Sequence, residues 1–334
     1  MKAIRILGPK SSPTITFTPS FPLPTAPPST PPSLLLRVHA AGVTGDEVTW
    51  PELYANPTRI PGFEVSGTIH SLPEGYTGPR RVGEEVYALM NVHHERGGQA
   101  GFVYVRVDEV ARKPRVIGFG AAAALPIPVV TAWEGLVKHA GGGLDGAGLR
   151  GKRVLVTGAS GAVGSAAVQL AKKVFGAGEV VALASKGTEG YLSGLGADRV
   201  VDYRGEGWEK EVGERTVDVV FDAAGSEAYR RAWKTVKDDG VVVTVADPPP
   251  AWAFDKTIVP EEAEGRTGVR YVYFIVLPDE KALDKIADLI DDGSFQPLSV
   301  VEYPAEKAVE AWAFAQQRGR QSKVAVDFVS GPDE

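Results

Sequence analysis

The 334-residue sequence contains no cysteine. That absence removes disulfide frameworks, thiol nucleophiles and every cysteine-ligated metal site in one step. An excess of positive charge is also missing: 36 Lys and Arg stand against 42 Asp and Glu, a net charge of -6. There is then no polybasic footprint for nucleic acid or an anionic membrane. The longest apolar run, "GFGAAAALPIPVVTAW", is broken by two prolines and falls short of the ~18 residues of a membrane span. The opening "MKAIRILGPKSS" lacks the apolar core of a secretory signal. These absences lead to the expectation of a soluble, cytoplasmic protein that acts on small molecules.

What is present is an ordinary globular balance, 43% hydrophobic and 23% charged, on a chain long enough for two domains. The first third reads as mainly β, with strands in "SLLLRVHAAGV", "GTIHSL", "EEVYALM" and "GFVYVRV" between glycine and proline punctuation. Residues 19–32, "PSFPLPTAPPSTPP", are too proline-rich to pair and are expected to form an extended surface connection, with a docking motif for proline-recognising domains as the alternative. From Lys152 onward the pattern alternates. Strand-like "RVLVT", "EVVAL", "DRVVDY", "VDVVF" and "GVVVTVA" are separated by helical stretches, which predicts βαβ units on a parallel sheet. A strand "RYVYFIVL", a helix "DEKALDKIADLIDDG", a short strand, a helix from Pro304 to about Arg318 and a final strand "KVAVDFV" complete the chain.

The segment "VTGASGAVGSAAV" places a strand, small residues and a helix in succession. Its fingerprint positions are Ala159, Gly161 and Gly164, with Gly158 one place before the first. A tight turn leaves the strand, the missing side chain at Gly161 allows backbone to approach a pyrophosphate, and the helix N-terminus presents N–H groups and a positive dipole end. A glycine triplet alone also serves purely structural turns; here the flanking βα units favour a dinucleotide. Val163, Ala167, Leu170 and Val174 recur at helical spacing and predict the face laid on the sheet. At the end of the second strand, "ALASKGTEG", Ser185 and Lys186 suit a 2′-phosphate better than a ribose hydroxyl, so NADPH is expected; Glu189 stands near enough to oppose it.

In these segments the chain resembles the medium-chain dehydrogenase/reductase superfamily, in its zinc-independent quinone oxidoreductase and enoyl reductase branch. "VHAAGV", "IPGFEVSGTI", "VGEEVYAL", "GFVYVRV", "AAALPIPVVTAWEGL", "VLVTGASGAVGSAAVQLAK", "LGADRVVDY", "FDAAG" and "KVAVDF" follow in the family's order over nearly the whole length. The resemblance implies an α/β fold, a Rossmann-type doubly wound parallel sheet inserted into a GroES-like, mainly β catalytic domain. Its segments would be 1–125 (catalytic), 126–268 (Rossmann, NADP-binding) and 269–334 (Rossmann edge strand and return to the catalytic domain). It also implies a cofactor set: Thr131 beside the nicotinamide, the backbone of Phe274, Ile275 and Val276 at the carboxamide, and Tyr203 with Ser185 and Lys186 at the adenosine phosphate. Ala159, Ser160, Gly161, Ala162, Val163 and Gly164 in the loop, Ala223, Ala224, Gly225, Ala246 and Lys323 complete that set. Tyr203 reads equally as an ordinary strand-end aromatic. Relatives pair Rossmann sheets across a twofold, which implies a homodimer through "RYVYFIVL", or a monomer if that strand is internal.

The departures from the family bear on the chemistry. Zinc-dependent relatives carry a His before the Glu of "PGxE", an upstream Cys and a four-cysteine lobe; here Phe63 stands in the first position and there is no cysteine. His93 and His94 are adjacent, point apart and have no third ligand, so they are expected to be solvated loop residues and no metal is expected. Without a Lewis acid, alcohol oxidation is poorly supported, whereas reduction of an enone, enoyl thioester or quinone needs a positioned hydride from NADPH and stabilisation of the developing oxyanion. Tyr54 and Glu47 are the candidate proton donors, with a half-buried tyrosine and a surface glutamate as their bland alternatives and solvent as the remaining source. Many quinone reductases have Asn and Asp where this chain has Thr44 and Glu47. Trp50, Trp133, Tyr54 and Phe274 are candidate apolar walls, or core. Competing readings are a non-redox isomerisation or cyclisation in the same fold, and a non-catalytic NADPH-binding sensor.

Overall fold

Hydrophobic patterning sorts the chain into two sheets with different covering. The computed structural model describes residues 1–26, 31–94, 96–143, 147–255, 257–317 and 319–329. Residues 27–30 of the proline-rich stretch and Arg318, the expected end of the last helix, lie outside them. Fifteen strands are described: β1 Ala3–Leu7, β2 Thr14–Thr18, β3 Ser33–Val43, β4 Glu64–Ser71, β5 Glu85–Leu89, β6 Phe102–Arg106, β7 Val110–Arg112, β8 Arg153–Thr157, β9 Glu179–Ala184, β10 Arg199–Asp202, β11 Val217–Asp222, β12 Val236–Thr244, β13 Arg270–Tyr273, β14 Val300–Pro304 and β15 Lys323–Asp327. The chain divides into one unit of Met1–Val130, Leu277–Gly293 and Pro297–Glu334 and a second of Thr131–Val276 with Ser294–Gln296.

In the first unit, seven strands run in the order β14-β15-β3-β4-β5-β7, with β6 also paired to β3, and β1 and β2 form a separate hairpin. β3 explains why the sheet has one open face and then a covered one. Leu34, Leu36 and Val38 are buried while their neighbours are half-exposed, and burial becomes continuous from Ala40. The core behind it includes Ile4, Leu36, Phe63, Trp312 and Val326. The helix Glu280–Asp291 lays Leu283, Ile286, Ala287 and Ile290 inward and is capped by the Asp279 carboxylate, which accepts from Ala282 N–H. Its acidic face is claimed by arginines: Arg80 meets Glu280 and Asp284, and Arg112 meets Asp288 and Asp291.

The second unit is a six-stranded parallel sheet in the order β10-β9-β8-β11-β12-β13. That is the 3-2-1-4-5-6 order of a doubly wound sheet, whose switch point falls between β8 and β11. β8, β9 and β11 are near-continuous apolar runs because both faces are covered. "RYVYFIVL" forms a strand only from Arg270 to Tyr273. Its ladder neighbour β12 ends at Thr244 opposite Tyr273, and among the described residues Phe274–Val276 have no partner strand. The helix expected from Pro304 begins later. Residues 300–304 pair with β15, a 3-10 turn covers Ala305–Lys307, and the α-helix is Ala308–Ala315. Among the described residues no helix is long and apolar enough to cross a membrane.

Candidate functional site

At the switch point, the loop after β8 is built by close backbone packing. Gly158 adopts a left-handed φ of 59°, and an added Cβ there would meet the Ala223 carbonyl at 3.1 Å. A Cβ on Gly164 would land on the Gly158 carbonyl and 2.7 Å from Ala159 Cα, so this position lets helix and loop touch. Gly161 differs: its added Cβ would find only the Gly158 oxygen, at 3.3 Å. It is the N-cap of the helix Ala162–Gln169, and no side chain caps that turn. The loop therefore offers first-turn N–H groups beside a backbone position that carries no side chain, an arrangement suited to an anion. The helix is buried from Gly164 through Ala171, wider than the expected stripe, while Val163 and Val174 at its ends are only half-buried.

One side chain absent from the sequence-based set ties this region together. The Asp222 carboxyl, fully buried at the end of β11, accepts from Thr157 Oγ1, from Thr244 Oγ1 at 2.6 Å, and from the N–H groups of Ala224 and Gly225 at 3.3 and 3.1 Å. Thr157 and Thr244 are the last residues of β8 and β12 and are the ladder partners of Asp222. Ala159–Gly164, Ala223–Gly225 and Ala246 are thus brought together. A signal was present: "RVLVT", "VVFD" and "VVVT" are apolar runs that each end on a polar residue.

At the ends of β9 and β10, Ala184 pairs with Asp202, and Tyr203 N–H donates to the Ala184 carbonyl at 3.2 Å, so Tyr203 sits beside Ser185. Lys186 and Tyr203 are exposed. Glu189 is turned into its own loop, accepting from Gly187 N–H at 2.8 Å. Arg204, not singled out from the sequence, lies over the Tyr203 ring at 5.4 Å. Elsewhere in this unit Thr131 is buried, Trp133 packs on Phe175, and the Phe274 ring lies 4.4 Å from that of His139.

The remaining candidates lie in the first unit. Glu47 is not a surface glutamate: it is fully buried, with Oε1 accepting from Gly62 N–H at 2.6 Å. Burial, with Glu64 and Asp46 adding to it, pushes its carboxyl up to about 8, so it holds a proton at neutral pH. Lys323 is paired with the buried Glu64 and lies 3.3 Å from Thr44 Oγ1; Glu64 Oε2 accepts from Ile127 N–H at 3.0 Å. Gly42 leaves room for the Glu64 side chain, on which any Cβ would fall. The Tyr54 hydroxyl donates to the Val48 carbonyl at 2.7 Å. Trp50 stacks on Phe63 at 6.1 Å. His94, expected to be solvated, instead binds the buried Glu109 carboxylate at 2.8 Å, while His93 is exposed.

Comparison with known proteins adds a lineage to this geometry. The family model described as zinc-binding dehydrogenase matches residues 195–326. A probable zinc-binding mitochondrial oxidoreductase of Arthroderma benhamiae is 30% identical over 298 residues, 87% of this chain and 86% of that protein. The chain belongs to the medium-chain dehydrogenase/reductase superfamily. Within it, this oxidoreductase falls in the quinone oxidoreductase and enoyl reductase branch. A chloroplastic NADPH-dependent alkenal/one oxidoreductase of Arabidopsis thaliana is 31% identical over 276 residues, 80% of this chain and 63% of that protein. The solved quinone oxidoreductase from Coxiella burnetii superposes with a TM-score of 0.79 at 22% identity, covering 98% of this chain and 99% of that one. Zinc, implied by the family description, does not fit the residues of this oxidoreductase. Both Glu64 oxygens are engaged, one by the Lys323 ammonium, and no three His, Asp or Glu side chains converge among the described residues.

Proposed function

We propose that this oxidoreductase reduces an activated C=C bond or a quinone with NADPH and without a metal ion. The observation that carries the reading is the loop at Gly158–Gly164, without a side chain at Gly161 and backed by a helix turn that no side chain caps, at the switch point of a doubly wound sheet. The Gly158–Gly164 loop would hold the diphosphate of NADPH, and the chemistry so supplied would be a hydride, with its electron pair, for the β-carbon of an enone or enoyl group or for a quinone. An acceptor carbon already made electrophilic needs no Lewis acid, in keeping with the engaged carboxylate of Glu64. The alkenal/one and quinone relatives support that substrate class.

NADPH is preferred over NADH because Ser185, Lys186 and Tyr203 gather at adjacent strand ends, and Glu189, the acidic residue that would favour a ribose hydroxyl, is held by Gly187. Solvent supplies the proton, since the Tyr54 hydroxyl is committed to Val48 and Glu47 is sealed from water. The outer edge of β13, beside exposed Ile275 and Phe254, fits pairing with a second copy across a twofold. The test is NADPH consumption with a panel of enones and quinones in the presence of a chelator, with product mass. A gain of two hydrogens supports the reading; an unchanged mass indicates isomerisation or cyclisation, and binding without consumption indicates a sensor. Lys186→Ala is expected to weaken NADPH by about tenfold and leave NADH unchanged; equal losses would remove the NADPH preference.

A further inference from the structure

We infer that Asp222 is a positioning residue for the cofactor: without touching it, its carboxyl locks three loops into the single arrangement that receives a dinucleotide. This deepens the dinucleotide reading above and rests on it. Asp222 is fully buried, so no ligand reaches it. Its hydrogen bonds nevertheless end in or beside each of three segments expected to hold the cofactor. Thr157 precedes Gly158 of the first loop, Ala224 and Gly225 form the second, and Thr244 begins the third.

The third connection is a relay. The Thr244 hydroxyl donates to Asp222 Oδ2 and accepts from Ala246 N–H at 3.3 Å, while Val245 N–H donates to the Asp222 backbone carbonyl at 3.0 Å. Backbone packing joins the same segments. A Cβ on Gly158 would press on Ala223, and one on Gly225 would press on the Ala246 methyl at 2.8 Å. A loop that has lost one of these bonds is left with a buried polar group seeking another partner, and its neighbours lose the surface they pack on. The three loops therefore hold or loosen together, and cofactor affinity follows from their being ordered before the ligand arrives.

Thr157→Val and Thr244→Val each remove one donor to Asp222 at nearly constant shape, Thr244→Val also taking the acceptor from Ala246 N–H, and Asp222→Asn keeps Oδ1 as acceptor while changing the group that faces Thr244. NADPH and NADH dissociation constants are measured by titration of the full chain, and amide hydrogen exchange is followed without nucleotide in the segments 158–164, 223–225 and 245–247. Each Val variant is expected to weaken both nucleotides by the same factor, about 5- to 30-fold. Exchange should rise in all three segments whichever threonine is replaced. Asp222→Asn and Thr244→Val both act on the Asp222–Thr244 bond, so the loss in their double variant is expected to differ from the product of the two single factors, whereas Thr157→Val with a substitution outside these loops should multiply. Wild-type affinity in both Val variants, or exchange that rises only in the substituted loop, would overturn the inference. A wild-type protein that binds neither nucleotide would instead remove the cofactor reading, and the exchange measurement would still decide whether Asp222 couples the loops.

Discussion

Glu47 gives the protein a pH dependence whose sign and size follow from its burial. Its carboxyl titrates near 4.5 when exposed and is pushed up to about 8 in the folded chain, mainly by loss of water, with the Glu64 and Asp46 carboxylates adding to the shift and the Gly62 N–H and Lys323 opposing it. A raised carboxyl means that the folded state binds the proton more tightly than the unfolded state. Its contribution is therefore complete below the unfolded value and is lost as pH rises through the folded one. At about 1.36 kcal/mol per unit, the chain should lose about 3 kcal/mol of stability from this group between about pH 5.5 and about pH 8. Denaturant unfolding of the wild type and Glu47→Gln across that interval measures it, because the difference between the two removes the titrating groups that do not interact with Glu47. The amide keeps an oxygen for Gly62 N–H, and whatever it costs inside does not vary with pH. Parallel stability curves for the two proteins would refute the buried, protonated state of Glu47.

The two loop glycines should fail in different ways. Gly164→Ala forces a methyl onto the Gly158 and Ala159 backbone and should cost about 1–3 kcal/mol of stability, read as a lowered melting temperature. Gly161→Val would bring its Cβ to 3.3 Å from a single backbone oxygen, that of Gly158, and should lower the melting temperature less than Gly164→Ala while binding no dinucleotide; normal binding would show that the diphosphate lies elsewhere. Lys323→Met leaves the Glu64 carboxylate buried without its cation and should cost about 3–5 kcal/mol in denaturant unfolding. Adding Glu64→Gln to that variant should restore part of the loss, and a double variant no more stable than Lys323→Met would show that the ion pair is not what the single change breaks.

Much of the second unit was legible in its residues. Apolar runs of strand length alternating with helical spacing announce a parallel sheet, and a strand, small residues and a helix in succession announce the loop at its switch point, because both patterns are set by neighbours along the chain. "RYVYFIVL" shows the limit of such reading: eight apolar-rich residues look like one strand, yet the ladder stops at Tyr273, where its neighbour β12 stops at Thr244. The polar ends of "RVLVT", "VVFD" and "VVVT" were equally visible, but their meeting depends on the register of three strands.

Residue order is enough to show that this chain supplies no thiol or thiolate ligand, that a glycine-rich strand-to-helix turn exists, and that a cation and a hydroxyl follow the second strand of the parallel sheet. Folding brings in what residue order does not record: Glu47 is sealed and protonated, and Lys323 is paired with Glu64. The reason is physical. Periodicity and turn chemistry act between residues close in the chain, whereas the charge state of a side chain depends on water and partners delivered by segments far away in it, and no local pattern records which of them will arrive.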